Sequence, residues 1–272
     1  MSRIATPLLL EARSTTRRAA RTFALACRLL PRSVRDDVYL LYLVFRTLDD
    51  LVDEQRPEAA EHVAAVEAFC DGRPHPATRE TEILGALCGR HDVPLDALRE
   101  FCAGMRQDLA AAELRTEADL DRYCYRVAGT VGIVMAAILG TRDRAAAEPA
   151  AAALGMAMQR TNILRDIDED LAGDRVYLAT ETVARHGGSL APGRREELLR
   201  DQIARADALY VRGAEGIPQL LHGGRAVSVA AAMYREILRQ IEREGYGAEA
   251  GRAIVRGRRK LAIAARRGVL AR

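Results

Sequence analysis

The chain has 272 residues, 49% hydrophobic and 29% charged, and its 41 basic and 38 acidic side chains leave a formal charge of +3. That length supports one large hydrophobic core, the composition excludes an intrinsically disordered chain, and the near balance of charge gives no sign of a nucleic-acid partner. Cys27, Cys70, Cys88, Cys102 and Cys124 are widely spaced with no Cys-x-x-Cys pair, which argues against a disulfide framework or zinc site and for a reducing, cytoplasmic setting.

Alanine, leucine, arginine and glutamate dominate, so helix is expected nearly throughout. The run Leu8-Leu9-Leu10 is closed by Glu11 and Arg13, a poor signal peptide, and the first helix is predicted over 14–29. Pro31 and Pro57 open helices over 32–55 and 58–70. Pro74 and Pro76 mark a loop before helices at 79–90 and, behind Pro94, at 95–110. A helix over 117–139 contains the longest apolar stretch, Ile133 to Leu139, far short of the roughly 20 residues of a membrane span. Helices at 150–171, 194–214, 225–243 and 248–267 follow, with Gly187-Gly188 and Gly223-Gly224 as breaks. Without an internal repeat or a linker, the expectation is an all-α protein with a single domain over 1–272.

Two of these helices carry polar stripes. In Tyr42-x-x-x-Arg46-x-x-Asp49-Asp50-x-x-Asp53, positions 42, 46, 49 and 53 fall within about 60° of one another, flanked by Val38, Leu41 and Phe45. In Gln159-x-x-Asn162-x-x-Arg165-Asp166-x-x-x-Asp170, positions 159, 162, 166 and 170 span about 80° of a helix otherwise rich in Leu, Ile and Met. A solvated face explains either stripe alone. Together they fit magnesium chemistry, because Mg²⁺ takes oxygen ligands, usually one or two carboxylates plus substrate phosphates. Arg46 and Arg165 stand ready as donors to the same phosphates. Neither stripe holds the His or Cys that zinc or iron would want.

At this point the chain resembles the squalene and phytoene synthases. Arg21-Thr22-Phe23-Ala24-Leu25 with Leu29-Leu30-Pro31 is similar to their opening segment, and Tyr42 through Asp53 to their first aspartate-rich motif. Tyr123-Cys124-Tyr125-Arg126-Val127-Ala128-Gly129-Thr130-Val131-Gly132 resembles their central tyrosine and glycine motif. Gln159 to Asp170, continued by Arg175-Val176-Tyr177-Leu178, resembles their second aspartate-rich motif, and the stretch around Tyr234, Gly245-Tyr246 and Arg258-Arg259-Lys260 also fits. The likeness implies an isoprenoid-synthase-type helical bundle around a central cavity, with the aspartate pairs facing each other near its mouth.

It further implies Asp49, Asp53, Asp166 and Asp170 as Mg²⁺ (or Mn²⁺) ligands, with Asn162 as an added one. Gln159 would line the same stripe, and Arg46, Arg165, Arg175 and Tyr246 would bind diphosphate. Tyr42, Tyr123 and Tyr177 would line the reaction chamber, where aromatic faces suit cationic intermediates. Family members join two allylic prenyl diphosphates (farnesyl or geranylgeranyl) through a cyclopropyl diphosphate, and the squalene-forming ones use NADPH. The chain departs from the pattern at Ala19-Ala20, at Ala179 after Tyr177-Leu178, and at Arg126. A terpene cyclase that ionises one diphosphate would keep the same metal motifs, so that reading stays open, as does a non-catalytic helical adaptor.

Small residues at 128, 129, 132, 136 and 137 leave one side of their helix slim, for close packing or for a hydrocarbon. Gly245-x-Gly247-x-x-Ala250 matches a dinucleotide fingerprint but follows no strand, so it is rejected. Histidines 62, 75, 91, 186 and 222 show no ligand spacing and read as surface residues. After Glu249 the chain has no acid but carries Arg252, Arg256, Arg258, Arg259, Lys260, Arg266, Arg267 and Arg272. This basic C-terminal helix is a solvated face or a peripheral contact with anionic lipid.

Overall fold

High helix propensity along the chain is realised almost everywhere in a computed structural model, which describes residues 6–270, the side chains of 267–270 excepted. In order the helices are α1 (Thr6–Ala19), α2 (Arg21–Cys27), α3 (Arg32–Asp53), α4 (Ala59–Cys70), α5 (Arg79–Cys88), α6 (Leu95–Leu109) and α7 (Glu117–Cys124). A π-turn (Tyr125–Gly129) leads into α8 (Thr130–Leu139), then come α9 (Arg144–Ala172), α10 (Thr180–Arg185) and α11 (Glu196–Glu215). A 3₁₀ turn (Ile217–Gln219) precedes α12 (Gly224–Arg243) and α13 (Gly257–Leu270). Among the described residues there is no strand, only an isolated bridge between Thr141 and Leu220.

Several boundaries differ from the sequence expectation. The helix expected over 14–29 is two, broken at Ala20, whose φ of −130° is not helical. The one expected to open at 150 starts at Arg144: the Asp143 side chain accepts from the Ala146 N–H and caps it, so the turn ahead of Pro149 is anchored and only one backbone bond is lost. Residues 248–256 are not helical. Gly245, Tyr246, Gly247 and Gly251 take φ of 74°, 54°, 73° and 129°, and α13 forms only beyond them. The short α10 carries too few periodic residues to be read from sequence. Arg272 and the side chain of Arg267 lie outside the described residues.

The core is built around α9, which packs on α7, α8, α11 and α12. The contact with the π-turn and α8 is very close, which is one use of the small residues. A Cβ on Gly155 would lie 2.1 Å from the Ala128 carbonyl oxygen, and one on Gly132 would lie 2.2 Å from that of Ala151. The helical run Glu117–Leu139 is long and apolar enough to cross a membrane, but it lies inside this bundle with half of its apolar window buried. Arg160, 3% exposed, holds α9 to α7 and α11 through Glu117 (2.9 Å), Asp121 (2.7 Å) and Gln202 (2.7 Å). Arg195, equally buried, grips Asp168 with two 2.7 Å bonds and fixes the start of α11 against α9.

The cysteines are free thiols, four of them buried. Two histidines are not the surface residues the sequence suggested. The His62 imidazole lies 2.9 Å from the buried Glu80 carboxylate, and His91 lies 2.7 Å from Asp37, which also accepts from Arg90. Both rings pair with carboxylates that the core takes out of water.

Candidate active site

The first aspartate stripe sits at the C-terminal end of α3. Val34, Val38, Leu41, Phe45, Leu48 and Val52 recur at helical spacing and are buried, and the stripe runs beside this seam. Asp49 and Asp53 keep 45% and 49% of their side-chain surface accessible, so both are wetted at the edge of a cleft. Asp49 is nonetheless pushed up to about 7, first by the protein crowded around it and then by Asp53. Water touches the carboxyl, but the surrounding protein denies its charge full hydration. Arg46 donates to Asp49 (3.2 Å) and pairs with Asp50, while its Nε is buried without a partner.

The second stripe sits toward the C-terminal end of α9. Arg165 donates from Nε to Asp166 at 2.7 Å, and Arg252, from the segment before α13, pairs with the same carboxylate at 2.9 Å. The Asn162 amide donates to Gln159 (3.3 Å), and its oxygen accepts from the Tyr234 hydroxyl (3.1 Å). Asp170 is raised to about 6 by burial, then by Asp166 and by Asp53 across the cleft.

Arg175 joins the two stripes. After Gly173, Asp174 turns at φ 56°, and the Arg175 N–H bonds back to the Asp170 carbonyl (2.8 Å). The guanidinium then crosses to Asp53 Oδ1 (2.8 Å), to the Asp53 carbonyl (3.2 Å) and to the Tyr177 hydroxyl (3.2 Å). Each of these aspartates except Asp170 thus pairs with an arginine. Among the described residues no three carboxylate, His or Cys side chains already converge as a metal site. The donor set still fits Mg²⁺: it is oxygen only, on two helices, with carboxyls whose mutual repulsion a cation would relieve.

Between these helices runs an apolar cavity of about 260 Å³. Along α9 it is lined by Ala147, Ala151, Leu154, Gly155, Met158, Gln159 and Asn162, which at 1.5 Å per residue is a length of about 22 Å. Its polar end is therefore Gln159 and Asn162, in the second stripe. Ala128, Gly132 and Ala136 of the slim face also line it, so the residues that allow close helix packing leave the hydrocarbon-sized space as well.

The tyrosines divide between two places. Tyr42 stacks on Phe23 at 5.3 Å, and Phe23 lines the cavity. Tyr123 and Tyr177 are not among its lining residues; they stack on each other at 5.4 Å beside Asp53. Tyr246 lies under Arg200, whose guanidinium is 3.9 Å from the ring and donates to the hydroxyl (2.9 Å). That contact ties Tyr246 to α11.

Asp108 and Lys260 join the site although no site role was expected of either. Asp108 accepts from the Tyr123 hydroxyl (3.3 Å) and is pushed up to about 7 by burial. It shares a helical face with the buried Phe101 and Met105, a signal that was present. On the other wall Lys260 donates to Thr22 (3.0 Å), and its pKa is lowered by burial, then by Arg165 and Arg21. Cations gathered this way prefer an anion among them.

The raised carboxyls give a pH test. In metal-free protein Asp49 ionises near 3.8 when unfolded and near 7 when folded. The unfolded chain therefore loses its proton first, and stability falls as pH rises through that interval. Asp49→Asn is expected to raise the melting temperature of chelator-treated protein more at about pH 8 than at about pH 4.5. Equal gains at both pH values would contradict the burial assigned to Asp49.

Comparison with known proteins follows this geometry. Residues 16–260 match the profile of the squalene/phytoene synthase family. The chain is 41% identical to a phytoene synthase of Thermus thermophilus over 83% of its own length and 80% of that protein. It is 35% identical to a phytoene synthase of Arthrospira platensis, covering 89% of this chain and 86% of that one. Among solved structures it superposes on a dehydrosqualene synthase in complex with ligand with a TM-score of 0.88, at 26% identity, covering 97% of this chain and 96% of that one.

Proposed function

We propose, from the premise that the chain belongs to the squalene/phytoene synthase family, that it is the prenyltransferase joining two geranylgeranyl diphosphates head to head to give phytoene. The observation that carries the reading is the cavity: greasy along about 22 Å and polar only where Gln159 and Asn162 meet the aspartates and arginines. At about 5 Å per isoprene unit, four units fill that length. The relatives named phytoene synthase favour the same choice over a farnesyl substrate.

Asp49, Asp53, Asp166 and Asp170, with Asn162, would hold Mg²⁺ or Mn²⁺, which supplies charge neutralisation for a departing diphosphate. Arg46, Arg165 and Arg175 would take the phosphate oxygens, and Arg21, Thr22 and Lys260 form a further anion-binding wall. Tyr42, above Phe23, presents an aromatic face close to the cavity. Tyr123 and Tyr177, with Asp108 behind them, shield the Asp53 side of the cleft. The setting is cytoplasmic, with a peripheral membrane contact on the side of α13, where Ile254 and Leu261 are 68% and 61% exposed beside Arg256 and Arg258.

Purified protein given geranylgeranyl or farnesyl diphosphate with Mg²⁺, with and without NADPH, is expected to give phytoene from the former without NADPH, and nothing once the metal is chelated. A cyclic hydrocarbon from a single diphosphate would overturn the head-to-head reading, and a farnesyl-derived product alone would overturn the chain length.

A further inference from the structure

The cavity has a second end. α3 and α9 both run from it to the aspartates, beginning at Arg32 and Arg144 and carrying their carboxylates near their last turns. At this far end three short connections meet: 28–31 between α2 and α3, 140–143 between α8 and α9, and 219–223 before α12. The Arg142 N–H bonds to the Gln219 carbonyl (2.8 Å), the Leu221 N–H to Gly140 (2.9 Å) and the His222 N–H to Leu139 (3.1 Å). A Cβ on Gly223 would meet both Leu30 and Leu139, which brings the first connection against the other two.

Two of these connections carry a pair of consecutive leucines that divide their roles. Leu30 and Leu220 line the cavity, whereas their neighbours Leu29 and Leu221 are 45% and 51% exposed. Apolar surface therefore continues from the cavity lining to the outside of the protein. Arg28, Arg32 and Arg142 stand around it, exposed, and form no ion pair among the described residues. Of the neighbouring acids, Asp143 is occupied in capping α9 and Glu215 ends α11. α13 descends toward the same end: Lys260 is level with Thr22, and Ile263 and Ala264 pack beside Leu25 and Ala26.

From this juxtaposition we infer that the face formed by Leu29 and Leu221 with Arg28, Arg32 and Arg142 docks on an anionic lipid bilayer, setting the far end of the cavity against the membrane interior. The inference rests on the membrane contact proposed above and moves its surface from Ile254 and Leu261 to the far end of the cavity. Leucine side chains enter the acyl boundary while unpaired arginines meet lipid phosphates. A hydrocarbon formed in the cavity then leaves without crossing water.

The test is co-sedimentation of the full chain with phosphatidylglycerol–phosphatidylcholine vesicles, alongside product formation in detergent and on vesicles. Leu29→Glu/Leu221→Glu is expected to weaken vesicle binding by about 100-fold or more, and vesicles of phosphatidylcholine alone to bind the wild type about 100-fold more weakly. Turnover in detergent stays unchanged in the variant, while its stimulation by vesicles disappears. If the double variant binds like wild type and Arg258→Glu/Arg266→Glu does not, the membrane contact stands and this face is overturned as its site. If the wild type binds no vesicles, both fail. A wild-type dimer that the leucine variant dissociates, again without vesicle binding, would assign the face to a second copy instead.

Discussion

Asp49→Asn is expected to cut turnover by about a thousand-fold while leaving the fold intact, and Asp166→Asn to do the same. The two carboxylates stand on different helices, so a shared loss ties both walls to one reaction. Asparagine keeps the shape and one acceptor oxygen of each side chain but removes the negative charge that a divalent ion needs. Folding has no use for that charge at position 49, where burial and Asp53 already hold the carboxyl near 7. A loss of activity accompanied by unchanged or higher thermal stability is therefore the signature of a site kept for chemistry. Steady-state turnover and melting curves on the same preparations check it, and full activity in either variant would remove that carboxylate from the mechanism.

Gly155→Ala is expected to be the most damaging single-methyl change for stability. The added Cβ would meet the Ala128 carbonyl oxygen at 2.1 Å, its carbon at 2.7 Å and the Gly129 Cα at 3.0 Å. All three are backbone atoms of the π-turn that leads into α8, so no rotamer change relieves the clash and this turn must move away from α9. A loss of about 3 kcal/mol or more is expected, roughly 6–12 °C in melting temperature for a chain of this size. Gly89→Ala is the control: its Cβ would meet nothing closer than 3.6 Å, so its effect should stay within about 0.5 kcal/mol. Similar melting temperatures for the two variants would refute the close approach of the π-turn and α9.

Much of this was legible in the chain. Helical propensity with proline and glycine punctuation gave the order of the long helices, and 3.6-residue periodicity put Asp49 with Asp53 and Asp166 with Asp170 on single faces. What escaped depended on three-dimensional neighbours. Tyr246 lies against Arg200 (2.9 Å), a partner 46 positions earlier that no local pattern announces. Tyr123 and Tyr177 stack on each other, outside the cavity lining, because the turn after α9 returns the chain to Asp53, and that turn depends on a left-handed Asp174. His62 and His91 look like surface residues until Glu80 and Asp37 are found buried beside them. Lys260 meets Thr22 across 238 positions. Asp108 shares the face of the buried Phe101 and Met105, yet a lone carboxylate near a helix end is ordinarily solvated, so its burial shows only in three dimensions.

The pairing of Asp49, Asp53 and Asp166 with Arg46, Arg175 and Arg165 also bears on the order of events in the protein's life. The arginines balance these carboxylates without an ion, so a metal would be needed for activity and not for folding. Mg²⁺ held by Asp49, Asp53 and Asp166 would take the place of the guanidinium groups, leaving Arg46, Arg175 and Arg165 as positive charges beside the place where a diphosphate would settle. Loading one ligand class would thereby ready the protein for the next.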